Sequence, residues 1–68
     1  MMKIQLNNNP EELEGTRMSI TELLEVKKYS FKMLVIKVND VIVKRDAYTT
    51  TYIKEGDDVL VIHLMSGG

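Results

Sequence analysis

Ser19-Ile20-Thr21-Glu22-Leu23-Leu24 decides the fold. The Ser19 hydroxyl can accept from the amide three residues on, while Glu22 reaches back to the Ser19 amide, the reciprocal pair of a capping box. Ile20, Leu23 and Leu24 then fall at i, i+3 and i+4, on one face of a helix. Lys27 and Lys28 suit the negative pole of the helix dipole, so the spacing predicts a helix over residues 19–28. No other stretch has this period. A lone helix of this length can bury its apolar stripe only by lying across a sheet.

The flanking sequence supplies that sheet. Met2-Lys3-Ile4-Gln5-Leu6 alternates apolar and polar residues, the period of a half-buried strand. Asn7-Asn8-Asn9-Pro10 is turn chemistry, because Asn tolerates positive φ and Pro interrupts a ladder. Glu11 to Glu14, with Leu13 inside it, reads as an edge strand whose charges protect the edge, ended by Gly15-Thr16-Arg17. After the helix, Phe31 to Val38 is apolar and β-branched, a buried strand. Asn39-Asp40 forms a tight turn into a short strand, Val41-Ile42-Val43. Residues 44–52 are Thr-rich with no clean period, and Glu55-Gly56-Asp57-Asp58 is a turn. Val59 to Met65 is the last strand and the most apolar. The order β-β-α-β-β-β predicts an α+β fold: a mixed four- to five-stranded sheet with one helix across one face. Hairpins on either side of one helix give the ubiquitin-like β-grasp, in which the first and last strands meet at the sheet centre.

Composition narrows the function. A chain of 68 residues makes one small domain, expected over residues 1–66, with 67–68 as a flexible tail. A domain this small buries only about 60% of its unfolded surface and lacks the walls of an enzyme-sized pocket. The net charge of −1 and the dispersed basic residues give no draw to nucleic acid or anionic membrane. No apolar run approaches the roughly 20 residues that span a bilayer, so a cytoplasmic protein is expected. Cysteine is absent, which excludes disulfides, thiolate metal sites and a cysteine nucleophile. If this chain handles sulfur, another atom carries it. His63 is the single histidine in a chain without cysteine, so no catalytic or metal-binding role is expected of it. Glu11, Glu12 and Glu14 read as a charged edge, not ligands, so no metal is expected.

The sequence closes on Ser66-Gly67-Gly68 after an apolar strand. Such an ending can be a piece of flexible linker. Glycine adds no buried surface and weakens a strand it joins. What it offers is a thin backbone able to thread a narrow channel, and the expectation is a free carboxylate at Gly68.

Taken in order, these segments resemble a known family. Val38-Asn39-Asp40, Val41-Ile42-Val43, Arg45, Tyr48, Ile53, Gly56-Asp57 and the terminal Gly67-Gly68 resemble the sulfur carrier proteins of thiamine biosynthesis, the ThiS family. The amino-terminal strand, the Asn-rich turn, the acidic strand and the Ser19-to-Leu24 helix start extend the resemblance over essentially the whole chain. It implies that an ATP-dependent adenylating enzyme takes in the tail, with Ser66 and Gly67 threading its channel. Gly68 becomes a glycyl-adenylate, then a thiocarboxylate. The sulfur comes indirectly from a cysteine desulfurase or another persulfide donor and passes to thiazole synthase. The chain itself is then no enzyme and binds no cofactor, the ATP being the partner's.

By analogy with the tail of ubiquitin, Val59 and Val61 face inward. Leu60 and Ile62 face out, with Leu64 and Met65 on the emerging tail, and these four are the expected docking residues. Related readings are the small subunit of molybdopterin synthase, a carrier for another sulfur pathway, and a ubiquitin-like protein modifier. The first usually carries prolines before its tail, which His63-Leu64-Met65-Ser66 lacks. The Asn39-Asp40 turn also lacks the glycine that many thiamine carriers show there.

Overall fold

Two asparagine-led turns set the hairpins of this protein. Asn7 and Asn8 both take positive φ (52° and 67°), as do Asn39 and Asp40 (51° and 68°). A two-residue turn with positive φ at both positions matches the right-handed twist of the strands it joins. The first turn pairs β1 (Met2–Leu6) with β2 (Asn9–Leu13), and the second pairs β4 (Leu34–Val38) with β5 (Val41–Val43), both antiparallel. The computed structural model describes residues 1–29 and 34–63. The expected strand segments 31–33 and 64–65 therefore lie outside the described residues.

Between the hairpins come β3 (Arg17–Ser19) and the helix α1 (Ile20–Val26); after them come a 3-10 turn (Arg45–Ala47), β6 (Tyr52–Lys54) and β7 (Asp58–His63). The five-stranded sheet runs β2-β1-β7-β4-β5. β7 is central, parallel to β1 and antiparallel to β4. This is the mixed sheet with one helix of the β-grasp, with the first and last strands side by side.

Both bonds of the capping box are present: Glu22 N–H donates to Ser19 Oγ, and Ser19 N–H donates to Glu22 Oε1, each at 3.1 Å. The helix is shorter than the charge pattern predicts. Lys27 is its C-cap, and Lys28 is left-handed with φ 58°. The chain closes there in a Schellman pattern, with Tyr29 N–H donating to Leu24 O (2.8 Å) and Lys28 N–H to Glu25 O (3.1 Å). Lysine in this conformation costs about 1–2 kcal/mol relative to glycine. Lys27 instead serves the sheet, its ammonium 3.0 Å from Glu11 of the edge strand. The charges of β2 thus guard the edge and also tie it to the helix.

The core follows strand alternation. Met2, Ile4 and Leu6 of β1, Leu13 of β2, Ile36 of β4, Val43 of β5, and Val59 and Val61 of β7 are buried together with Ile20 and Leu23 of the helix. Met18 and Ile53 join them from a two-stranded ribbon that periodicity does not reveal. β3 and β6 pair antiparallel, Met18 against Ile53. Gly15-Thr16-Arg17 accordingly leads into a strand, and residues 44–52 hold a 3-10 turn before β6. Tyr48 packs against the core, whereas Tyr52 is exposed beneath the Arg17 guanidinium, 4.6 Å from ring centroid to Cζ.

Asp57, expected as a turn residue, is buried at 5% exposure. Its Oδ2 accepts from the Lys54 amide (3.0 Å), and its Oδ1 accepts from Asn39 Nδ2 (3.1 Å). Asn39 Oδ1 in turn accepts from the Asp58 amide (2.9 Å), tying the β4–β5 turn to β7. Glycine at position 39 would suit the turn but remove this bridge. Burial pushes the Asp57 carboxyl up; the Asn39 and Lys54 hydrogen bonds and the Lys54 charge outweigh it and hold the group below the usual carboxylate value. A carboxyl lowered on folding stabilises the fold above its unfolded pKa, about 3.9, and loses that contribution as pH falls through its folded value. Chemical denaturation across pH should therefore show stability falling below about pH 4. Asp57→Asn should flatten that slope and cost about 1–3 kcal/mol at pH 7, because an amide donor then faces a donor. An unchanged slope would show that other carboxyls govern acid unfolding.

Candidate functional site

The sheet is covered by the helix on one side and open on the other, and β7 divides its side chains between the two. Val59 (0% exposed) and Val61 face the core, while Leu60 is half-buried and Ile62 is 41% exposed on the open face. The register carries that face across neighbouring strands. Val35 of β4 lies opposite Ile62, and Lys37 lies between Leu60 of β7 and Ile42 of β5. Ile42 is 60% exposed. Val35, Ile42, Leu60 and Ile62 thus form an apolar face with one cation among them. Exposed apolar clusters of this kind are a common feature of interaction surfaces.

Of the residues expected at the site, Leu60 and Ile62 stand on this face. Leu64, Met65, Ser66, Gly67 and Gly68 lie outside the described residues. Val35 and Ile42 were not among the expected docking residues. Their signal lies in combining the alternation of β4 and β5 with the two-residue turn, which brings them to the same side as Leu60.

β7 is also held along its β1 side, and the way it is held changes along its length. Glu55 Oε1 accepts from the Lys3 amide (2.6 Å), and Gly56 N–H donates to Lys3 O (2.9 Å). Gln5 N–H donates to Asp57 O and Asn7 N–H to Val59 O, both at 2.9 Å. The backbone of β1 then turns away at Asn7-Asn8. The next β7 amide, Val61 N–H, donates to the side-chain Oδ1 of Asn7 at 2.8 Å.

Among the described residues no group of His, Cys, Asp or Glu side chains could hold a metal ion. His63 ends β7 opposite Leu34. No described helix is long and apolar enough to cross a membrane. The arrangement is a partly exposed apolar face across the central strand β7 and its neighbours β4 and β5.

The ThiS family model matches residues 4–68. The chain belongs to the ThiS family. The match takes in Gly67 and Gly68 as well as every strand, β1 from Ile4 onward. Among solved structures, this ThiS chain is similar to the crystal structure of a thiamine biosynthesis protein (ThiS) from Geobacter metallireducens, at 29% identity and a TM-score of 0.87, covering 98% of this chain and 100% of the other. The solution structure of a thiamine biosynthesis protein from the same organism gives 29% identity and a TM-score of 0.78, covering 98% and 88%. No curated protein sequence matches the chain.

Proposed function

We propose that this protein is a sulfur carrier of thiamine biosynthesis whose working atom is the Gly68 carboxyl carbon. The observation that carries this reading is a family match that extends to Gly68. The Gly68 carboxylate, ionised at neutral pH, attacks the α-phosphate of ATP in an adenylating enzyme and releases pyrophosphate. The acyl carbon is then activated, with AMP as leaving group. The terminal sulfur of a cysteine persulfide displaces AMP to form an acyl disulfide, and a thiol reductant then cleaves its S–S bond, leaving the thiocarboxylate on Gly68 and the donor cysteine in a disulfide with that thiol. Thiazole synthase consumes that sulfur.

In this scheme the chain is a cosubstrate in the cytoplasm. ATP and the catalytic groups belong to the partner, and this protein contributes docking and positioning. Glycine suits the tail because a side chain at 67 or 68 would restrict an extended backbone inside a channel. The face of Leu60, Ile62, Ile42 and Val35 docks the partner, with Leu64 and Met65 as further docking residues.

The test is intact-mass measurement after incubation with the cognate adenylating enzyme, ATP and a sulfur source. Sulfur should replace one oxygen, with the corresponding mass gain. No gain with an active enzyme sinks the reading. A conjugate to a lysine that survives reducing agent would make the protein a modifier instead.

Ile62→Glu probes the docking face. Ile62 is exposed, so the change should alter stability by no more than about 0.5 kcal/mol. It should raise the KM of the adenylating enzyme for the carrier by about tenfold or more, since burying an unpaired charge at an interface is costly. An unchanged KM would place the docking surface elsewhere.

A further inference from the structure

We propose that Asn7 is a positioning residue for the carboxyl-terminal reaction, acting through β7 as a side-chain substitute for the end of β1. This rests on the sulfur-carrier reading and adds to it what aims the tail. The backbone ladder between β1 and β7 stops at Asn7, whose φ of 52° starts the hairpin turn. Beyond that point β7 still pairs with β4 through Val61, Ile62 and His63. On the β1 side, Asn7 Oδ1 takes the Val61 amide at 2.8 Å, where a further β1 residue would have offered a carbonyl. A single residue thus does two jobs: its backbone begins the turn, and its side chain continues the ladder.

The position of this bond gives it leverage. Gly68 lies seven residues beyond Val61 by sequence number. Seven residues span at most about 23–25 Å, so the direction in which β7 leaves the sheet bounds the region that the terminal carboxylate can reach. A misplacement of about 1 Å at a reacting centre can cost a hundredfold in rate. The Asn7 bond narrows the directions in which β7 leaves the sheet before the partner's channel takes hold.

Asn7→Gly tests this cleanly, because glycine adopts the left-handed conformation without strain and removes only the side chain. Asn7→Asp keeps both the acceptor oxygen and tolerance of positive φ. Thermal melts establish that both variants are folded at the assay temperature. With the cognate adenylating enzyme and ATP, Asn7→Gly should lower kcat for glycyl-adenylate formation by about tenfold, leaving KM within about twofold. Asn7→Asp should restore kcat. Hydrogen exchange on the free carrier should show the Val61 amide exchanging faster in Asn7→Gly and near wild type in Asn7→Asp.

A purely structural role would lower the melting temperature and leave the kcat of the folded carrier unchanged; that result overturns the inference. Unchanged exchange at Val61 overturns it too, independently of any enzyme. If wild-type carrier is not adenylated at all, the sulfur-carrier reading fails, and positioning for that reaction fails with it. Unchanged kcat in Asn7→Gly beside a processed wild type removes the Asn7 inference alone.

Discussion

Deleting Gly68, or adding one residue after it, is expected to abolish sulfur loading while leaving the thermal midpoint of the domain unchanged. In the proposed reaction the carboxylate must sit in line with the α-phosphate of ATP, and each extended residue shifts it by about 3.3–3.6 Å. That shift exceeds the tolerance of a near-attack geometry, so the loss should be essentially complete. Stability is decoupled because the buried apolar residues among those described all lie between Met2 and Val61. Intact mass reads the loading, and circular dichroism reads the midpoint. Loading that survives either change would move the working group away from Gly68. A lowered midpoint would show that the tail packs on the domain.

Leu23→Ala should have the largest effect on folding. Leu23 is fully buried and, with Ile20, anchors the helix that closes one side of the sheet. Replacing a buried leucine with alanine costs about 2–5 kcal/mol through lost transfer energy and the cavity left behind. A chain of this length has a total stability of only about 3–10 kcal/mol at typical values per residue. The melting temperature should therefore fall by more than about 10 °C, and the variant is expected to be substantially unfolded at the upper end of that cost. Urea denaturation measures the change. A loss below about 1 kcal/mol would mean that the sheet face seals without this side chain.

The two effects fall on different links of the same chain of causes. Leu23 sets whether the sheet exists. In the proposed scheme Gly68 sets whether the domain carries sulfur. Ile62 and Asn7 lie between them, one on the proposed docking face and one at the point where β7 loses the support of β1's backbone. Folding and sulfur loading are thus separable by experiment, although a domain this small has little stability to spare.

Much of the fold is legible from short range. Ser19 and Glu22 are three residues apart, and both of their bonds form. Asn7-Asn8 and Asn39-Asp40 take the positive φ values that their chemistry favours. Alternation in β1 sorts core from surface at Met2, Ile4 and Leu6; in β7 it separates two sets, and the analogy with ubiquitin's tail picks out Val59 and Val61 as the buried one. The helix end was misjudged, because Lys27 and Lys28 suggested a favourable last turn. Lys27 is instead the C-cap and bonds across to Glu11, and Lys28 takes a conformation that its side chain gives no reason to expect.

The remaining features depend on residues far apart in sequence. The β3–β6 ribbon pairs Met18 with Ile53, and neither three-residue strand is long enough to show a period. The burial of Asp57 depends on Asn39, and the anchoring of Val61 depends on Asn7, 54 residues away. By itself the sequence determined the helix and its cap, the asparagine turns, the alternating strands and a glycine ending, because each is written in contacts or periods spanning a few residues. Only the tertiary structure decided that Val35, Ile42, Leu60 and Ile62 share one face and that an asparagine side chain takes over where β1 ends. Those depend on strand order and register, which local propensity does not encode.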